Sequence, residues 1–71
     1  MSDASIHTVG RVLDKLGPVL YRVVLPNGKI ILAHLSKHQA AEKSEFVVED
    51  EVLVELTPFD FDSGRILGFG S

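Results

Sequence analysis

The sequence predicts an all-β fold, a five-stranded β-barrel with one short helix between the third and fourth strands, and three observations carry that prediction. Valine, leucine and isoleucine fall in short runs broken by Gly, Pro, Asn and Asp, the spacing of strands joined by turns. Residues 52–57 alternate cleanly, with Val52, Val54 and Leu56 inward and Leu53, Glu55 and Thr57 outward. A single stretch beginning at Ser36 is polar and alanine-containing, and fits a short surface helix instead.

The first strand is expected over residues 7–16. Val9, Val12 and Leu13 are apolar, but alternation fails around Gly10 and Arg11, which predicts a bulge or strong bend near Gly10. Gly17-Pro18 ends this strand. A second strand over residues 19–25 places Val19, Tyr21, Val23 and Leu25 on one face and Leu20, Arg22 and Val24 on the other. Pro26-Asn27-Gly28 is the strongest local signal: proline presets one turn dihedral, Asn-Gly tolerates positive φ, and a tight hairpin into residues 29–33 follows. Ser36 is placed to cap the helix, with Gln39 three positions on as a weak capping box and Ala40, Ala41, Glu42 and Lys43 continuing it. Phe46-Val47-Val48 then reads as a loop or short strand that plugs the domain, followed by the acidic turn Glu49-Asp50-Glu51. Pro58 closes the fourth strand because it donates no ladder hydrogen bond. Residues 59–64 are expected to form the last turn and 65–69 the final strand. Five strands and one helix in this order match the element order of an OB-fold barrel.

Seventy-one residues support one domain, expected to run from 1 to 71 with residues 1–6 as a flexible N-terminus. The absence of cysteine excludes disulfide staples, thiolate zinc sites and thiol nucleophiles. The net charge of -3 argues mildly against a general nucleic-acid binder, yet it hides an asymmetry. Residues 1–41 carry five basic side chains against two carboxylates, and residues 42–71 carry two against eight, so one basic patch is compatible with an acidic sum. No apolar run approaches the roughly 20 residues that span a bilayer. No membrane partner is expected, and the default is a cytoplasmic monomer.

Enzymatic constellations are thin. Asp60 and Asp62 lack a third ligand, the three histidines give a poor zinc signal without cysteine, and His34 with Ser36 lacks an orienting carboxylate and an oxyanion hole. Gly28 and Gly64 read as turn glycines. No catalytic residue, metal or cofactor is expected.

Gly28, Ala33-His34-Leu35-Ser36 and Val54-Glu55-Leu56-Thr57-Pro58-Phe59-Asp60 followed by Gly64-Arg65-Ile66 resemble the family of the smallest of the three bacterial translation initiation factors. The resemblance runs from Gly10 to Ile66 without an evident gap. It implies a single OB-fold domain that binds in the aminoacyl-tRNA site of the small ribosomal subunit, touches ribosomal RNA and a neighbouring ribosomal protein, and supports the two companion initiation factors. The chain departs from the family pattern at Lys37-His38-Gln39-Ala40, where Gly, Lys, Met and Arg are usual, and at Glu45, where arginine is common. It departs again at Glu49-Asp50, where Gly-Asp is expected, and at Gly68-Phe69-Gly70-Ser71, which replaces basic residues.

The residues expected to contact RNA are Arg22, His34, Lys37, His38 and Arg65, through phosphate bonds or histidine stacking. Tyr21 and Phe61 are added as exposed faces for base stacking, while Phe46 and Phe59 are assigned to the core. Arg65 is equally suited to pair with Asp60 or Asp62, and Lys37 to act as a solubilising residue. Glu49, Asp50 and Glu51 are the candidates for protein interaction, on an acidic half that docks a basic partner. The rival reading is a divergent paralogue that keeps the barrel as a single-stranded RNA- or DNA-binding or protein-interaction module away from initiation.

Overall fold

Apolar alternation and well-placed turn residues close this chain into a barrel. The computed structural model describes residues 6–57 and 60–70, the side chains of 57, 60 and 61 apart. The elements are β1 (Ile6–Lys15), β2 (Leu20–Val24), β3 (Ile30–Leu35), α1 (Lys37–Ala41), β4 (Glu51–Thr57) and β5 (Asp60–Phe69). The strands close in the order β1-β2-β3-β5-β4. All pairings are antiparallel except β3 with β5, and β1 is shared, pairing with β4 through its first half and β2 through its second.

The inward face follows the sequence alternation. Tyr21 and Val23 on β2, Ile31 and Ala33 on β3, and Val52 and Val54 on β4 are all essentially inaccessible to solvent. Phe46 plugs the barrel from outside the strands. Phe46 is 1% exposed, with its ring centroid 6.0 Å from that of Tyr21 and 4.9 Å from that of Phe69, both edge-on. Edge-on geometry sets the positive rim of one ring against the negative face of the next, and burying such a ring contributes about 2–3 kcal/mol.

The β2–β3 turn forms as its residues dictate. Gly28 N–H donates to Leu25 O at 2.9 Å, Leu25 N–H to Lys29 O at 2.8 Å, and Lys29 N–H to the Asn27 side-chain oxygen at 3.0 Å. Within this turn Gly28 takes the positive φ, 88°, which glycine adopts without steric cost. Ser36 caps α1 as expected: its hydroxyl accepts from Gln39 N–H at 3.2 Å. The reciprocal half of the capping box is replaced, because Ser36 N–H donates to Ile66 O on β5 at 3.0 Å and so ties the helix start to the barrel.

Several expectations are corrected. Ile6, expected in a flexible N-terminus, belongs to β1, and residues 1–5 lie outside the described residues. The expected bulge near Gly10 sits at Leu13, where the β1–β2 register passes from Val12↔Val23 to Asp14↔Arg22. Gly10 is buried instead, since a Cβ there would press on the Val23 side chain and on Val24 O. The third strand reaches Leu35, beyond the expected residue 33. Residues 60–64 are strand rather than turn, and Gly64 is a strand glycine beside Ala33. A Cβ on Gly64 would lie 2.7 Å from Val54 Cγ1 and 3.1 Å from Glu55 O, so glycine is required by close packing against β4. Pro58 and Phe59, expected to end a strand and to enter the core, lie outside the described residues.

Candidate nucleic-acid interface

Strand pairing places three of the expected RNA-contacting residues on one outer face. Arg22 on β2 stands opposite Leu32 on β3; His34 on β3 stands between Leu20 on β2 and Arg65 on β5. Arg22 and His34 are therefore diagonal neighbours, and His34 and Arg65 are direct ones. All three side chains are exposed. Lys37, the first residue of α1, follows two positions after the end of β3 and is also exposed. It has no ion-pair partner among the described residues, nor has His34.

Three neighbouring cations are tied to carboxylates. Arg22 Nη1 lies 3.7 Å from Asp14 Oδ2, and Lys29 Nζ 2.9 Å from Asp62 Oδ1. Arg65 Nη1 lies 3.4 Å from Glu55 Oε1. The sequence reading offered Asp60 or Asp62 as its partner, but the β4–β5 register sets Glu55 directly opposite Arg65. Glu55 is also 3.8 Å from His7 Nε2, so this carboxylate is bracketed by two basic side chains. Sequence reasoning placed Glu55 on the outer face but missed it as the hub of the row His7, Glu55, Arg65 and His34; the alternation of β4 was the available signal.

His38 is engaged elsewhere. Its Nε2 lies 3.0 Å from Glu42 Oε2 one helical turn on. Although His34 and His38 are four residues apart, His34 is on β3 and His38 on α1, so they are no helical ligand pair. Among the described residues no group of three or more His, Asp or Glu side chains is arranged to hold a metal ion.

Tyr21 is a correction. It is fully buried and offers no face to a base; its hydroxyl oxygen accepts a hydrogen bond from Phe46 N–H at 3.2 Å. The tyrosine thus satisfies a buried backbone donor that the plug segment would otherwise leave unpaired. Phe61 falls on β5, and its side chain lies outside the described residues.

The acidic turn is more structured than its composition suggests. Asp50 N–H donates to Val47 O at 3.0 Å, and Asp50 Oδ2 accepts from Val47 N–H at 2.9 Å. One of its carboxylate oxygens thus caps the turn. Glu49 has φ 81°, the value the third residue of a type II turn requires, where glycine is favoured. That is the position at which the family resemblance expects Gly. The turn is held to β1 by Glu49 N–H to Val12 O at 2.8 Å and Val12 N–H to Asp50 O at 2.9 Å. Glu49 and Glu51 are exposed, and Glu49 Oε1 lies 3.9 Å from Arg11 Nε.

A second irregularity precedes the plug. Lys43 N–H donates to Ala40 O and Ser44 N–H to Gln39 O, both at 3.0 Å, which is the double closure of a Schellman motif. Lys43 occupies its left-handed position with φ 56°, where glycine is usual.

The closed five-stranded barrel, with its helix between β3 and β4 and its parallel β3–β5 closure, is an OB fold. No protein-family model matches the sequence. Among solved structures, the chain is similar to the solution structure of the first translation initiation factor of the Wolbachia endosymbiont strain TRS of Brugia malayi. The two share 29% identity over 99% of this chain and 83% of that one, with a TM-score of 0.77. In fold and in sequence the protein resembles that initiation factor along nearly its whole length.

Proposed function

We propose that the protein is an initiation-type factor that binds the aminoacyl-tRNA site of the small ribosomal subunit as a cytoplasmic monomer, one domain over residues 1–71. Ribosomal RNA is contacted by the outer face of β2, β3 and β5. The observation that carries this reading is the in-register pair His34 and Arg65 on a rigid ladder, with Arg22 diagonal to it and the unpaired Lys37 at the helix start. Arginine reaches phosphate through a planar fork, lysine as a point charge, and histidine by stacking or donation. Occupying the site blocks premature tRNA entry, and contacts with a ribosomal protein and the two companion factors complete the role the resemblance implies.

A second reading is favoured by one specific observation: Arg22, Arg65 and Lys29 all lie against carboxylates, which lowers the charge available to RNA. Under that reading the barrel serves as a single-stranded nucleic-acid or protein-interaction module away from initiation.

Binding of labelled protein to purified small ribosomal subunits over a salt series separates the two. Saturable binding with a log–log salt slope of about -2 to -3 is expected, because three cations release few counterions. Arg65→Glu together with Lys37→Glu should abolish binding, and the companion factors should strengthen it. Binding that ignores both the charge reversal and the companions overturns the initiation reading.

A further inference from the structure

Strand register lays four titratable or charged side chains in one row around the outside of the barrel. His7 on β1 stands opposite Glu55 on β4, Glu55 opposite Arg65 on β5, and Arg65 opposite His34 on β3. Glu55 is the shared member. Its Oε2 lies 3.8 Å from His7 Nε2 and its Oε1 3.4 Å from Arg65 Nη1, so one carboxylate faces two bases through different oxygens. It is also the most covered of the three, its side chain 23% exposed against 51% for His7 and 54% for Arg65. Beyond His34 the row ends at Leu20. Two residues away along the same strands stand Val9, Leu53, Ser63 and Leu32, none of them charged. The nearby charged groups are matched with one another. Arg22, diagonal to His34, lies against Asp14, Lys29 against Asp62, and His38 on α1 against Glu42, whereas Lys37 has no ion-pair partner among the described residues.

Histidine is the side chain that changes charge between about pH 5 and 8, a range in which carboxylates stay ionised and arginine stays protonated. With both imidazoles neutral the row sums to zero, because Glu55 offsets Arg65; with both protonated it sums to +2. We propose that His7 and Glu55 form a proton-controlled brake on Arg65. Neutral His7 leaves the Glu55 charge to the guanidinium, and protonated His7 takes up that charge and frees Arg65 for RNA phosphate. Over the same range of pH, His34 adds a second cation beside it. His7 is here a positioning residue. Two strand spacings, about 10 Å, separate it from Arg65, which is about one Debye length at physiological salt, so its charge is felt through Glu55 and not directly. The inference rests on the RNA-contacting role proposed for the β2–β3–β5 face, and it supplies the charge that the Glu55 contact withholds there.

The test is binding of labelled full-length protein to purified small ribosomal subunits at pH 8 and at pH 6, at fixed ionic strength, as a double-mutant cycle. The parent protein should gain at least about tenfold in affinity at the lower pH, and His7→Gln should cut that gain to about threefold. Coupling is read from the same substitution in a second background. In Glu55→Gln, where Arg65 is already released, adding His7→Gln should leave the pH dependence where Glu55→Gln alone puts it. Arg65→Gln removes the controlled group from an exposed position and should silence His7→Gln in the same way, which keeps the test decisive if Glu55→Gln does not fold. Changes of the subunit itself with pH cancel within each cycle. Absence of binding at both pH values overturns the RNA reading and this inference with it. Binding that is indifferent to pH, or a His7→Gln effect that persists in the Glu55→Gln or Arg65→Gln background, overturns the inference alone.

Discussion

The outer face of β2, β3 and β5 and the end closed by Phe46 are built from one barrel by opposite means. On the first, side chains stand on a regular ladder, and strand register alone sets His34 beside Arg65 and Arg65 beside Glu55. On the second, the backbone is irregular: Lys43 and Glu49 both hold positive φ, and position depends on one buried anchor, the Tyr21–Phe46 contact. The β2–β3 turn uses glycine for the same backbone requirement. The ladder face therefore tolerates exchange of its side chains without loss of shape, whereas the plugged end carries its chemistry on residues that the local backbone disfavours.

Removing the anchor breaks the comparison most severely. Tyr21→Ala leaves a cavity and an unpaired Phe46 N–H and should cost about 3–5 kcal/mol in urea unfolding. Tyr21→Phe removes only the acceptor and should cost about 1–2 kcal/mol. On the ladder side the vulnerable point is backbone proximity and not charge. Gly64→Ala drives a Cβ against Val54, Leu56 and Glu55 O and should cost about 1–3 kcal/mol by the same measurement.

Relieving the disfavoured backbone sharpens the contrast in the other direction. Glu49→Gly should raise the unfolding free energy by about 0.5–1 kcal/mol, the left-handed penalty less the entropy that glycine loses.

The smallest effect concerns the Lys15–Glu45 pair at the plugged end. Lys15 Nζ donates to Glu45 Oε2 at 2.7 Å. That bond, reinforced by the ammonium charge, holds the Glu45 carboxyl below its ordinary value, and the same bond raises Lys15 above its own. The Glu45 contribution is present above the unfolded carboxylate value and fades as pH falls through the lowered folded one. The Lys15 contribution is present below the ordinary lysine value and fades as pH rises through the raised one. Both groups are solvent-exposed, so screening keeps the effect small. A nuclear magnetic resonance titration should find the Glu45 carboxyl back at its ordinary value in Lys15→Met.

Much of the barrel was legible because its signals are local. The alternation of β4, the Pro26-Asn27-Gly28 turn and the Ser36 cap each depend on neighbours within a few residues. The same alternation grouped Tyr21 with Val23 and Leu25, so its burial was readable once one face is assigned inward. The partner that fixes it, Phe46 N–H, is 25 residues away in sequence and was not readable. Gly64 misled for a similar reason: a glycine after two aspartates reads as a turn until the parallel β3–β5 pairing, which is non-local, brings Ala33 beside it. The partner of Arg65 likewise follows from register and not from spacing.

The most direct test of the central claim, that the β2–β3–β5 face is the one that meets RNA, places a photoreactive amino acid at position 34 of the protein bound to purified small ribosomal subunits. The account predicts an adduct with ribosomal RNA. Adducts with protein alone would contradict it.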